Sequence, residues 1–335
     1  MTGSASPFFE GTEKKFELVV DPSLPSFREH GRSYWTDVAR SAGAEVLSHL
    51  SNDRCHAYLL SESSLFVFDH RVIMMTCGCS LLHNAVLEIL EAVPAERVRT
   101  LVYKRKHEIF PHDQPTSFFD DVKILHERLP GRAYQFGHED EHHLYVFHLD
   151  RDHAVHAAGT TVEVLMHGLG DGVGGNFRLS QRPTTPEVRE ATGVDRVIPG
   201  FEVDDHLFVP NGYSLNAIRE GEYFAIHVTP EEACSYASFE TNHRFGADLE
   251  SILGRLLRIF RPRSYDLILY GDKGDKGDKG DRLQSVPLDN RLAGDDYRLK
   301  SHVAQVLDPQ GLPVRFLSFY RPQLTVATAI ELPVG

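Results

Sequence analysis

Short alternations of apolar and polar residues run through most of the chain and predict strands. The clearest cover residues 16–20, 57–60, 65–68, 72–75, 98–103, 144–149, 223–228, 235–239 and 267–270. A helical period replaces the alternation in four places. Trp35, Val38, Ala42, Val46 and Leu50 fall on one side of a helix predicted over 35–50. Leu82, Val86, Ile89 and Leu90 mark a second over 80–93. A third, over 118–129, starts behind Thr116 and Ser117, whose hydroxyls suit a cap. Leu249, Ile252, Leu253, Leu256 and Phe260 mark a fourth over 249–260.

Hairpins outnumber strand–helix–strand crossovers in this order. The pattern therefore predicts antiparallel sheets with helices on their outer faces, an α+β layout. The order also repeats weakly. A strand, a turn with Ser63, two strands ending near Cys77, a helix and a strand are followed later by a similar run containing Ser214 and His227. Ser63 and Cys77 lie 14 residues apart, and Ser214 and His227 lie 13 apart. Duplicated halves often place a site at their shared interface.

Composition narrows the function classes. The chain has 335 residues, 41% hydrophobic and 25% charged, with a net charge of -13. That length and balance can bury a sizeable core in a single domain. The acidic balance argues against a nucleic-acid reader or docking on anionic lipid, both of which need a basic footprint. Four cysteines (Cys55, Cys77, Cys79, Cys234) are too few for a secreted disulfide scaffold and fit no zinc template. The first residues lack the pattern of a signal peptide, and no apolar run of about 18 residues exists to span a membrane. A cytoplasmic protein is expected. Residues 271–282, built on three Gly-Asp-Lys triplets, read as a flexible charged loop. His138-Glu139-Asp140-Glu141-His142-His143 is rich in metal-ligand types, but consecutive residues cannot all converge on one ion. It reads as a solvated turn, and no metal is expected.

Taken singly, the chemically interesting residues have plain readings. Ser61-Glu62-Ser63-Ser64 fits a polar hairpin turn, Cys77 a buried thiol, and His227 a satisfied core histidine. Six motifs taken together say more. They are Phe8-Phe9-Glu10-Gly11-Thr12-Glu13-Lys14, Tyr58-Leu59-Leu60-Ser61-Glu62-Ser63-Ser64-Leu65-Phe66-Val67, Thr76-Cys77-Gly78, Gly212-Tyr213-Ser214-Leu215-Asn216, Ile226-His227-Val228-Thr229-Pro230-Glu231 and Ser238-Phe239-Glu240-Thr241-Asn242. In this order and near these spacings, the chain resembles the eukaryotic-type S-adenosylmethionine decarboxylases over about residues 8 to 260.

The resemblance implies a four-layer αββα sandwich of two quasi-repeated halves. It also implies a chain that cuts itself between Glu62 and Ser63, giving a β chain of 1–62 and an α chain of 63–335. Ser63 would attack the Glu62 carbonyl, Ser214 would support the cyclic intermediate, and His227 would remove the Ser63 α-proton, a base role suited to imidazole. The cofactor would be a pyruvoyl group made from Ser63. It would form a Schiff base with S-adenosylmethionine and accept the electrons of decarboxylation, and Cys77 would return a proton. Glu10 and Glu13 match acids that support processing. Phe9 and Phe208 match aromatics that stack the adenine, Leu65 would offer it backbone hydrogen bonds, and Glu240 matches a carboxylate on the ribose hydroxyls. The product is the aminopropyl donor of spermidine synthesis.

Departures concern a diamine site. Animal members bind activating putrescine in a buried acid cluster, of which Glu17 and Glu163 match two acids, and Arg105 is retained. Gly159 replaces an expected aspartate, and Met75 stands where animal members carry a lysine. A cluster short of an acid holds a cation less well, so putrescine activation is expected to be weak or absent. A homodimer of αβ protomers is left open. Two rival functions are a pyruvoyl decarboxylase of ornithine or arginine and an inactive regulatory paralogue. Phe9, Phe208 and Glu240 speak against the first, and the joint presence of Ser63, Cys77, Ser214 and His227 against the second.

Overall fold

The computed structural model describes residues 13–61, 63–151, 161–182, 184–231, 235–244, 248–271, 296–307 and 311–322. Phe9, Glu10, Glu62, Gly159, Cys234 and all but the first residue of the Gly-Asp-Lys run lie outside that set.

Two eight-stranded antiparallel sheets form the centre. The first contains β1 (Lys14–Val20), β2 (Val46–Ser51), β3 (His56–Leu60), β4 (Ser63–Val67), β5 (Arg71–Thr76), β6 (Val98–Lys106), β7 (Gly131–Phe136) and β8 (Leu144–Leu149). The second contains β9 (Thr161–His167), β10 (Glu202–Leu207), β11 (Tyr213–Arg219), β12 (Glu222–Thr229), β13 (Tyr236–Thr241), β14 (Ser264–Tyr270), β15 (Arg298–Leu307) and β16 (Leu312–Tyr320). Their spatial orders are β2-β3-β4-β5-β1-β6-β8-β7 and β10-β11-β12-β13-β9-β14-β16-β15. Adding eight to each number of the first order gives the second, so the quasi-repeat is a property of the topology. The spacing of Ser63–Cys77 against Ser214–His227 does not follow that topology. Ser63 begins β4, whose counterpart β12 carries His227, whereas Ser214 lies on β11, the counterpart of β3.

Four apolar clusters define the layers. Helices α1 (Arg32–Ser41), α2 (Leu82–Ala92) and α3 (Phe118–Arg128) pack on the outer face of the first sheet through Trp35, Val86 and Leu125. Helices α4 (Thr185–Thr192) and α5 (Leu249–Phe260) cover the second through Val188, Leu253 and Phe260. Two smaller clusters mix residues of both sheets and so lie between them. One joins Phe66, Ile73 and Met75 to Tyr223 and Ala225; the other joins Val102 and Val146 to Leu165, Ile268 and Phe316. The arrangement is the αββα sandwich, with a polar centre left between the two inner clusters. No helix of the described residues is long and apolar enough to cross a membrane.

Most element ends agree with the residue pattern. Ser117 caps α3 in a reciprocal box with Asp120, which satisfies two otherwise unpaired backbone donors. The helix predicted over 35–50 is corrected. It ends at Ser41, Gly43 turns the chain at φ +85°, and Val46 and Leu50 belong to β2. Residues four apart share a face in both a helix and a strand, so those two positions fitted either period. Gly43 supplied the stop signal.

Candidate active site

Strand β4 explains how Ser63 is presented. Alternation sends Leu65 and Val67 to the helix-side core, and Ser64 and Phe66 towards the second sheet. By parity Ser63 belongs with Leu65. Its backbone instead sits at φ +142°, a region that L side chains rarely enter. That twist brings two consecutive hydroxyls to one nitrogen. Ser63 Oγ lies 2.9 Å and Ser64 Oγ 2.8 Å from His227 Nε2. Holding such a conformation costs about 1–3 kcal/mol, and it persists because β3 and β5 grip the strand on both sides.

His227 stands on the inner face of β12, between Tyr223 and Ala225 below and the strand end above. Its Nδ1 lies 3.4 Å from Ser238 Oγ and 3.7 Å from Glu13 Oε2. Burial pushes the Glu13 carboxyl up, but the His227 ring and the Ser238 hydroxyl outweigh it and hold it below the ordinary carboxylate value. A proton on Nδ1 facing Glu13 leaves the Nε2 lone pair turned to the serine hydroxyls, as a general base requires. Ser214 pairs with His227 in register on the neighbouring strand and is buried. Asn216, two residues along the same inner face, accepts the Ser64 hydroxyl on Oδ1 at 2.5 Å, while its buried Nδ2 has no hydrogen-bond partner among the described residues.

Cys77 follows Thr76, the register partner of Ser63, and is half-buried. Its turn is fixed from two directions. Lys14 Nζ donates to the carbonyls of Gly78 (3.2 Å) and Ser80 (2.7 Å), and Ser80 Oγ donates to Thr76 Oγ1 at 2.8 Å. Burial and the nearby Arg105 depress the Lys14 ammonium to about 8.

A second polar cluster lies between the sheets. Lys15 and Lys104 are register neighbours on β1 and β6, and Glu163 and Glu240 are register neighbours on β9 and β13. Each like-charged pair would be destabilising alone. Facing each other, they close. Lys15 reaches Glu163 at 2.9 Å and Glu240 at 2.5 Å, Lys104 contacts Glu163, and the Tyr223 hydroxyl donates to Glu240. Burial works against the Glu163 carboxylate, yet Lys104 and Lys15 hold it at about 2. Burial pushes Glu240 up to about 7, aided by the charge of Glu163 and opposed by Lys15. Glu17 pairs with Arg71 at 2.8 Å beside this cluster. Arg105 points the other way, to Asp121 of α3 at 2.8 Å, and takes no part in it.

The residues expected to bind a nucleoside divide. Phe208 is half-buried in the turn after β10, its ring edge-on to His206 at a centroid distance of 4.7 Å. Gly212 packs this turn against the end of β12: a side chain there would meet Phe208 at 3.5 Å and the Val228 carbonyl at 3.6 Å. Leu65 is displaced from its expected role. It sits in an interior strand paired with Tyr58 and Met74, with its side chain in the helix-side core. Glu240 is likewise taken up by Lys15 and Tyr223 and buried between the sheets, so the structure does not bring it to an open mouth. Glu231, half-buried in the chain leaving β12, lies at the same end as Phe208.

Residue-by-residue reading missed Asn216, Ser238, Lys14, Lys15 and Lys104. The signal for the lysines was present: Glu13, Lys15 and Glu17 alternate with Lys14, Phe16 and Leu18, which puts the first three on one face.

Comparison with known proteins agrees with this architecture. The family model for adenosylmethionine decarboxylase matches residues 6–319. The S-adenosylmethionine decarboxylase proenzyme of Leishmania donovani is 35% identical over 281 residues, covering 79% of this chain and 73% of the relative. That of Xenopus laevis is 32% identical over 289 residues, covering 81% and 85%. A crystal structure of the Trypanosoma brucei AdoMetDC-delta26 monomer superposes with a TM-score of 0.60 at 27% identity, covering 77% of this chain and 99% of that one. By sequence match and by fold, this chain belongs to the adenosylmethionine decarboxylase family.

Proposed function

We propose that the chain is a single-domain proenzyme that cuts itself before Ser63 and then decarboxylates S-adenosylmethionine. The carrying observation is the Ser63 hydroxyl 2.9 Å from His227 Nε2 on a backbone at φ +142°. A hydroxyl held beside its own preceding carbonyl gains the effective concentration of an intramolecular reaction. Oγ attacks the carbonyl carbon of residue 62 while His227 takes its proton. The proton passes to the Ser63 nitrogen as the C–N bond breaks, leaving an ester. Loss of the Ser63 α-proton to His227 then breaks the Cβ–O bond and frees the carboxylate of residue 62. Water replaces the remaining enamine nitrogen, releases ammonia and leaves a pyruvoyl group. The products are a β chain of 1–62 and an α chain of 63–335.

The surroundings fit that group. Its Cα is trigonal, so conversion removes the clash that makes φ +142° costly for an L-residue. Asn216 Nδ2, buried and without a partner among the described residues, is a donor for negative charge developing at the cleaved carbonyl. The pyruvoyl carbonyl supplies an electron sink for the electrons released with carbon dioxide. Cys77, on its pinned turn after Thr76, holds the proton returned to the substrate carbon, and Ser214 supports the processing intermediate.

Phe208 supplies the stacking face for adenine, and Phe9 is the matching partner. Glu231 fits the ribose hydroxyls better than Glu240, because it is half-exposed at the Phe208 end and Glu240 is consumed by an ion pair. Putrescine activation is absent in this reading. Lys15 and Lys104 already place two ammonium groups on the acids that a diamine would need. Lys15 lies directly across from Met75, so the cation has moved to the neighbouring strand.

Intact mass under denaturing conditions tests the first stage. The wild type should give two chains split between residues 62 and 63, and Ser63→Ala a single one. Release of labelled carbon dioxide from S-adenosylmethionine, and not from ornithine or arginine, tests the second. An uncut wild-type chain would overturn the proposal.

A further inference from the structure

Beside Tyr236, three residues from separate segments converge. His142 comes from the connection between β7 and β8 of the first sheet, His167 from the end of β9, and Asp266 from β14. His167 Nε2 lies 3.1 Å from Asp266 Oδ2, and His142 Nδ1 lies 3.9 Å from the same oxygen. All three ligand atoms fall within 4.8 Å of one another. Around a tetrahedral zinc with bonds of about 2.0–2.1 Å, ligand atoms sit roughly 3.3 Å apart. One pair therefore already has the required separation, and a shift of no more than about 1.5 Å in the His142 ring brings in the third.

We propose that His142, His167 and Asp266 form a binding site for a divalent transition-metal ion, zinc foremost, that clips the first sheet to the second.

Two nitrogen ligands and one carboxylate make a donor set that zinc favours, with a fourth position for water. His142 is 37% exposed, which gives the ion a route in and the water a place. Asp266, by contrast, is 2% exposed; the Ser318 hydroxyl hydrogen-bonds its carboxylate, and among the described residues no close donor reaches its Oδ1. A buried carboxylate oxygen left unpaired calls for a cation or a donor. Lys106 is the opposing charge; its ammonium rests on the Tyr236 ring at 3.6 Å, and it weakens the site without filling it. Of the histidine-rich run at 138–143, only His142 contributes, in keeping with the geometric limit on consecutive residues.

The test is zinc titration of the untagged full chain by calorimetry, since the protein has 19 histidines and a tag would add competing sites. One ion per chain should bind, and His142→Ala, with its fold checked by an unchanged circular dichroism spectrum, should weaken it at least about tenfold. Asp266→Asn should do the same. Zinc should also raise the Tm of the wild type and not that of His142→Ala. Wild-type affinity weaker than about 1 mM, or equal affinity in the wild type and His142→Ala, would overturn the site.

Discussion

Two polar clusters share the space between the sheets, and they are built on opposite plans. Around His227 there is one imidazole, one carboxylate and three hydroxyls, with a strained backbone and an amide donor left without a partner. Around Lys15 there are two ammonium groups on two carboxylates, each closing the other. The first cluster sets serine hydroxyls against a base; the second sets charges against one another, with the buried Oε2 of Glu240 left without a hydrogen-bond partner among the described residues. Natural chains violate local rules where chemistry is done, and satisfy them elsewhere. Changes in the first cluster should therefore alter reaction rate with little effect on stability, and changes in the second the reverse.

The largest expected effect is that of His227→Ala. Removing a general base costs about 10²- to 10⁴-fold in rate, so the variant should remain a single chain over hours while its Tm stays near that of Ser63→Ala. A time course on denaturing gels reads this directly. Normal cleavage in His227→Ala would erase the distinction between the clusters.

Next is Lys104→Met. Breaking a buried pair from one side leaves an uncompensated charge, and typically costs about 3–5 kcal/mol. Urea unfolding of Lys104→Met in the Ser63→Ala background, compared with Ser63→Ala alone, measures that loss without interference from processing. Added putrescine should then raise the Tm of the Lys104→Met chain and leave the parent unchanged. A diamine effect on the parent would mean that the lysines do not occupy the diamine's place.

This contrast between clusters was only half legible in the residue pattern. Strands such as β8 and helix α5 were readable because a single period ran their whole length. Helix α1 was overextended because Val46 and Leu50 fit two periods at once. Ser63, His227 and Glu13 were identifiable through motifs, but their convergence depends on a φ value that no alternation rule foresees. Leu65 shows the cost: motif matching gave it a backbone role, while strand pairing on both sides already uses its backbone. Glu240 shows a second limit. Its partner Lys15 is 225 residues away in the chain, and only the packing of one sheet on the other reveals the pair.

A smaller effect is expected of Glu13→Gln. The change keeps the shape but removes the charge 3.7 Å from His227 Nδ1, an electrostatic loss on the order of 1–2 kcal/mol for a pair beyond hydrogen-bond distance. Processing should slow by about tenfold or somewhat more, with stability little altered. The carboxyl is held below its ordinary value, so in the wild type this support persists above that value and disappears as the pH falls through the depressed one. A rate that declines on acidification in the wild type, and declines less in Glu13→Gln, would tie the acid to His227.

The smallest effect separates Glu163 from Glu240 within the closed cluster. Glu163 is held at about 2, below its ordinary value of 4.5, so its contribution to stability is present above pH 4.5 and is lost as the pH falls towards 2. Glu240 is pushed up to about 7, so the fold favours its protonated form; that contribution is full below pH 4.5 and is lost as the pH rises through 7. Glutamine imitates the protonated acid. Glu240→Gln should therefore change stability by no more than about 1 kcal/mol, and should gain on the parent as the pH rises from 5 to 8. Glu163→Gln should be the more costly at both values. Urea midpoints of the two variants at pH 5 and pH 8 decide the matter. A Glu240→Gln chain that loses ground as the pH rises would mean that Lys15, at 2.5 Å, keeps Glu240 ionised against its burial.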